Sequence, residues 1–158
     1  MRVSVQTVQT AIRKCLQFVG QIEDDADRAE IESYFVSALV VMTVSVYEVL
    51  VEGMFEKCVA RCGDEHVCRY MRKVMAKKLS TPTMAKIKDV LGDFSADYKG
   101  SFKDQLVLET ESAWESILTA RNAFAHDMVP VQMTLRDLRD FLPKGDAVLD
   151  ALRGTLGV

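Results

Sequence analysis

FVSALVVMTVSVY (Phe35–Tyr47) decides the fold of this 158-residue chain. Only Ser37, Thr43 and Ser45 in it carry polar side chains. Flanking residues extend it with helical spacing: Ile31 and Tyr34 before it, Val49, Leu50, Phe55 and Cys58 after it. The spacing predicts one long helix from about Asp25 to Cys62. The acidic Glu23-Asp24-Asp25-Ala26-Asp27 would start it, because carboxylates suit the positive end of a helix dipole. A helix apolar on all sides is buried on all sides. It is therefore expected at the centre of the domain, or also against a second copy of the chain. The uncharged run from Glu32 to Glu48 covers 15 residues, short of the ~18 apolar residues of a membrane span. Glu48, the first charge after that run, reads equally as a residue emerging into solvent or as the counter-ion of a buried arginine. A carboxylate beside so apolar a run costs energy unless it is paired.

Helices are expected on both sides. Val5, Val8, Ile12, Cys15, Leu16 and Val19 repeat at helical spacing up to Gly20. Gly63 divides the long helix from another, about Asp64 to Leu79, whose inner face is expected to hold Val67, Tyr70, Met71, Val74 and Met75. Arg69, Arg72, Lys73 and Lys77 share its outer face. Thr81-Pro82-Thr83 turns into a short helix ending near Phe94, with Pro82 at a permitted first position. Gly92 to Ser101 reads as loop with brief helical turns. A helix follows from about Glu109 to Asp127, ended by Val129-Pro130. Thr134 and Asp137 form a capping arrangement for the last segment, which Pro143 and Gly145 are expected to interrupt. With three prolines, eight glycines and no strand pattern, the fold class is all-α. The length suits a single domain, residues 1–158.

Composition narrows function. Hydrophobic residues make up 49 % and charged ones 27 %, so the chain is globular. The net charge of −3 excludes a uniformly basic nucleic-acid binder and leaves only local patches. One such patch is Arg69 to Lys88, with seven basic residues and no acidic one before Asp89. Met1–Gln9 has no apolar signal core, so the expected location is cytoplasmic and the four cysteines are expected to be reduced. Cys58-x3-Cys62-x3-His66-x-Cys68 places four potential zinc ligands in eleven residues, but not in paired C-x2-C form. Inward-facing core cysteine is the commoner reading, and no cofactor or metal is expected.

Late in the helix from Glu109 stands Arg121-Asn122-Ala123-Phe124-Ala125-His126. Trp114, Ile117, Leu118, Phe124 and Ala125 form an apolar face with Arg121 in its middle. A guanidinium there needs an anion or a wet cleft. Asn122 and His126, four apart, share a neighbouring face. Arg121 and His126 lie about 140° apart around the helix, so one copy cannot close both on a single small group. The spacing itself carries little weight, because Arg61-Cys62-Gly63-Asp64-Glu65-His66 repeats it across a helix junction.

RNAFAH, after a tryptophan and an apolar stripe, resembles the Arg-Asn-x-x-Ala-His signature of the HEPN superfamily. The resemblance also takes in the all-α layout and the long apolar second helix. It implies a helical bundle that dimerises so that two such motifs face each other. Many members are metal-independent endoribonucleases that act as toxins or defence effectors. The family's roles then fall on Arg121 and His126 as the catalytic pair and on Asn122 as their support, with Glu48 as the acidic residue from an earlier helix. Implied partners are a second copy, an RNA substrate, and an antitoxin or neighbouring defence protein; no membrane is implied. Arg69, Arg72, Lys73 and Lys77 are weaker RNA-binding candidates. A branch of the family carries a tyrosine, modified by a nucleotidyltransferase, where this chain has Met128, so that regulation is not implied. Other members keep the fold only as binding modules, the alternative reading.

Overall fold

A computed structural model of the chain describes residues 4–127 and 131–158, apart from the side chains at 126 and 127. The described residues form seven helices and no strand: α1 (Val5–Val19), α2 (Asp25–Val59), α3 (Glu65–Lys78), α4 (Met84–Phe94), α5 (Ala96–Asp104), α6 (Leu108–Asp127) and α7 (Leu135–Leu156). A single 3₁₀ turn, Ala60–Cys62, follows α2, and Gly63 ends it with a positive φ of 74° that a side chain would strain. The all-α bundle with a long central helix is the fold expected from the sequence.

Local chemistry sets most helix starts. Asp24 accepts from the Ala26 and Asp27 amides at 2.8 and 2.9 Å, with Asp25 and Asp27 in the first turn of α2. Thr134 and Asp137 form a complete capping box on α7; aspartate reaches back to the Thr134 amide as glutamate usually does. Two starts, that of α7 and that of α4, are also capped from a distance. Glu32 of α2 accepts from the Leu135 amide at 2.8 Å, and Glu115 of α6 accepts from the Met84 amide at 2.6 Å. These bonds satisfy orphan helix amides and fix α7 against α2 and α4 against α6.

Helix α2 is the axis: α1, α3, α6 and α7 all pack on it. The hydroxyls in its apolar run cost little, because Ser37 donates to Ser33 O (2.9 Å) and Thr43 to Leu39 O (2.7 Å) within the helix. By length and composition Asp25–Cys62 is apolar enough to cross a membrane, with mean hydropathy 2.0 over its most apolar window, half of which is buried. The uncharged run understates this apolarity because a longer window tolerates a flanking glutamate. Burial is not complete on every side, however. One stripe stays open, with Tyr34 65 % and Val49 67 % exposed and Ala38 and Ser45 between them.

Trp114 locks α6 to α2. It is fully buried, its indole stacks on Tyr47 with centroids 4.3 Å apart and planes within 6°, and its N–H donates to Pro82 O at 2.8 Å. Pro82 thus precedes the cap residue Thr83 rather than opening α4, and its carbonyl serves the tryptophan. Gly145 of α7 closes this junction from the other side; a methyl group there would lie 1.9 Å from Tyr47 Oη.

Two expectations about helix breaks also fail. The segment after Gly92 is no loop: Ser95 accepts from the Asp97 amide and caps α5, which buries Phe102. Nor do Pro143 and Gly145 interrupt α7, which is continuous for 22 residues. Pro143 is exposed, and only the bond to the carbonyl one turn back is lost. Leu135, Leu138, Leu142, Val148, Leu149 and Leu152 are buried on either side of it and hold the helix together.

Candidate functional site

Helix α6 carries its core face as far as Leu118: Trp114, Ile117 and Leu118 are all buried. Arg121 follows Trp114 by seven residues, about two turns, and so stays on that face. Here the core runs out. Phe124 is half-buried and Ala125 exposed, where the sequence pattern placed both on the apolar face. Arg121 therefore sits at the rim, its side chain 27 % exposed.

Two groups hold the guanidinium. Nη1 donates to Asn122 Oδ1 at 3.0 Å, and Nη2 lies 3.6 Å from Glu48 Oε1. The second distance is beyond a hydrogen bond, and Oε1, although buried, accepts none from any described residue. The pair is therefore an attraction of charges. Burial pushes the Glu48 carboxyl above its usual range, and the charges of Arg121 and Lys86 draw it part of the way back. A carboxylate so placed keeps an arginine in position without using up its donors. Of five guanidinium N–H groups, one is spent on Asn122. The others can take two phosphate oxygens side by side.

His126 belongs to the last turn of α6, but its side chain, and with it the acid–base role expected of it, lies outside the described residues. The same holds for Met128 and Pro130.

The basic run from Arg69 to Lys88 is divided by the fold. Lys78 of α3 pairs with Asp93 (2.6 Å) and Asp89 (3.4 Å), and Lys88 of α4 pairs with Glu111 (2.5 Å). Lys86 is half-buried, and its charge acts on the Glu48 carboxyl. Arg69, Arg72, Lys73 and Lys77 are exposed, and none forms an ion pair among the described residues. Their helix is turned differently from expectation. Cys68 and Met75 are its buried residues, while Val67 and Tyr70, assigned to the inner face, are 45 % and 66 % exposed. A cleft of about 150 Å³, lined by Glu48, Glu52, Ala76, Leu79 and Ser80, lies between the end of α3 and α2 and shares Glu48 with the Arg121 pair. The sequence pattern gives no hint of Lys86, Ala76 or Ser80 at this place, because only the packing of α3 on α2, and of α4 on α3 and α6, brings them there.

The four potential zinc ligands are dispersed. Cys68 is buried and donates its thiol proton to Val59 O at 3.2 Å, Cys58 is half-buried, and Cys62 and His66 are exposed. Among the described residues no group of three or more His, Cys, Asp or Glu side chains is placed to hold a metal ion. Arg61, the arginine of the repeated spacing, has a structural task. Its guanidinium donates to the carbonyls of Leu156 (2.9 Å) and Gly157, closing the C-terminal end of α7.

A family model described as RiboL-PSP-HEPN matches residues 7–157. No curated protein and no solved structure matches the chain.

Proposed function

This chain belongs to the RiboL-PSP-HEPN family, and on that premise we propose that it is a metal-independent endoribonuclease of the toxin or defence type, active as a homodimer. The observation that carries the reading is Arg121: an arginine held in place by Asn122 and Glu48, yet with most of its donors unengaged by any described residue. Its guanidinium binds the scissile phosphate and stabilises the charge that grows on it. A His126 imidazole takes the proton of the ribose 2′-hydroxyl. The 2′-oxygen attacks phosphorus, the bond from phosphorus to the 5′-oxygen breaks, and the 5′-oxygen takes up a proton from an imidazolium. The products are a 2′,3′-cyclic phosphate and a 5′-hydroxyl. Two copies supply this better than one, because Arg121 and His126 diverge around a single helix. The open stripe of α2 from Tyr34 to Val49 gives the second copy a surface, and that stripe runs beside Glu48.

The test is incubation of total RNA with wild type, Arg121→Ala and His126→Ala in EDTA. Wild type should cleave and leave 2′,3′-cyclic phosphate ends. Each variant should lose activity, by about 10²–10³ for the arginine and 10²–10⁴ for the histidine. Activity that survives His126→Ala, or that vanishes in EDTA, refutes the mechanism.

One observation favours a second reading, a non-catalytic binding module: Arg121 already has a carboxylate partner. On that reading Arg121→Ala lowers stability and changes nothing catalytic. An antitoxin or neighbouring defence protein belongs to the proposal as partner, and co-purification from cells that express the neighbouring genes tests it.

A further inference from the structure

The exposed basic helix leads toward the arginine site, and its form suits one kind of ligand. Arg69, Arg72, Lys73 and Lys77 span about 12 Å along α3, and none is neutralised by a described carboxylate. Of the acids around this row, Asp64 caps α3 and Glu65 stands one turn before Arg69 without an ion pair among the described residues, while Asp89 and Asp93 are engaged by Lys78 and Glu111 by Lys88. Four cations in a row without a carboxylate partner among the described residues, beside lysines that are paired, are suited to holding an anion. Tyr70 stands among them, 66 % exposed, with Lys73 and Lys77 three and seven residues on along the same face. An exposed phenol ring within a row of cations can stack one base while the cations hold the adjoining phosphates. That calls for an unpaired strand, since a base inside a duplex has no free face to offer. The row also has a direction. Ala76 continues the line of Arg69, Arg72 and Lys73 at helical spacing, and Ala76, Leu79 and Ser80 form a cleft together with Glu48, the partner of Arg121.

We propose that α3 is the strand-guiding surface of this protein, its Arg69, Arg72, Lys73 and Lys77 holding the backbone of single-stranded RNA, its Tyr70 stacking a base, and the strand running along the helix to Glu48 and Arg121. The proposal rests on the ribonuclease reading for what happens at the end of the track, but strand binding is measured without cleavage.

The probe is a fluorescein-labelled oligonucleotide of mixed sequence, about 12 nucleotides long, with 2′-O-methyl riboses that remove the nucleophile. Anisotropy is recorded over a range of KCl concentrations for the full chain and for Arg69→Gln/Arg72→Gln/Lys73→Gln/Lys77→Gln, with circular dichroism to confirm that the exposed substitutions leave the fold intact. Each lost phosphate contact should flatten the slope of log affinity against log salt by about 0.7, or about 3 for all four, and binding near 0.1 M salt should weaken on the order of a hundredfold or more. Tyr70→Ala should weaken binding about tenfold with the salt slope unchanged. A duplex of the same sequence should bind less tightly than the single strand and should not respond to Tyr70→Ala.

The proposal is overturned if the quadruple variant keeps its affinity and slope, if wild type binds no single strand, or if vesicles of anionic lipid bind α3 while RNA does not. The two readings fail separately. Binding that depends on α3 without any cleavage by wild type removes the ribonuclease and keeps the track. Cleavage whose KM is unmoved by the quadruple variant removes the track and keeps the ribonuclease.

Discussion

Gly145→Ala sets two effects of known sign against each other. Helix propensity favours alanine, since glycine in a helix interior costs about 1 kcal/mol. Packing opposes it. The added methyl would sit 1.9 Å from Tyr47 Oη and 2.7 Å from Tyr47 Cζ. Relief requires a movement of about 1.5 Å, and Tyr47 cannot make it alone. Its ring is fully buried and stacked on Trp114, which is itself fastened to Pro82 O. Either the stack or α7 must shift, and overpacking of this kind costs about 1–3 kcal/mol, here at the upper end. Packing should win by about 2 kcal/mol. For a chain of this length that lowers Tm by about 4–8 °C. Tyr47→Phe removes the atom in closest contact, and Tyr47 Oη is hydrogen-bonded to no described residue. Alone, this substitution should therefore be neutral or stabilising by up to about 1 kcal/mol. Combined with Gly145→Ala it should recover about half of the loss, a positive coupling between the sites. Urea and thermal unfolding followed by circular dichroism give all four corners of the cycle. A Tm that rises in Gly145→Ala, or a coupling near zero, refutes the account of this junction.

Asp146, next to that glycine, should make stability fall with rising pH. Burial, with Asp150 one turn away, lifts its carboxyl from 3.8 to about 6, so between those values the folded chain keeps a proton that the unfolded chain has released. The contribution is full below about pH 4 and is lost by about pH 6; it amounts to roughly 1–2 kcal/mol once solvent screening is allowed for. Asp146→Asn should remove that fall, and equal pH profiles for variant and wild type would count against it. At the open stripe of α2, Val49→Arg should place a cation in the proposed dimer contact, giving a monomer by light scattering and loss of RNA cleavage with little change in Tm. A dimer with full activity would exclude that face.

What could be read from the sequence follows what is local. The apolar run of α2, the Thr134–Asp137 cap and the stop at Gly63 depend on residues within one or two turns, and their spacing reveals them. Helix α5 did not show because it buries little besides Phe102, too few apolar positions to display a period. Helix α3 is turned differently from the sequence pattern because Val67 and Tyr70 complete a helical stripe with Met71 and Val74, yet the small thiol of Cys68 is the group that fits beneath α2. Pro143 misled because its cost is local while the leucines that outweigh it bind to other helices. At the site, sequence offered Glu48 two roles, and only the crossing of α2 with α6 could bring it beside Arg121. Nothing in the chain announced the contact of Gly145 with Tyr47 or the meeting of α3 with Glu48.

The Glu48–Arg121 pair bears on how the proposed reaction can work. A hydrogen-bonded, fully buried pair would be a structural staple, and a phosphate would have to break it at a cost of several kcal/mol. This pair is looser. At 3.6 Å and about one quarter exposed on each side, it holds the guanidinium by charge alone, while Asn122 fixes its plane through Nη1. A phosphate that approaches from the open side can take the remaining donors without expelling Glu48, so the arginine is positioned before substrate arrives and little reorganisation is needed afterwards. The carboxylate, however, repels the same phosphate. Lys86 on α4 offsets part of that repulsion. In the proposed dimer a second Arg121 across the α2 stripe would add positive charge there, and on the proposed track so would the cations of α3. A single copy therefore offers an arginine already partly neutralised, and on the proposed mechanism the dimer tips the local field toward the substrate, with the α3 cations adding to it where the strand follows that helix.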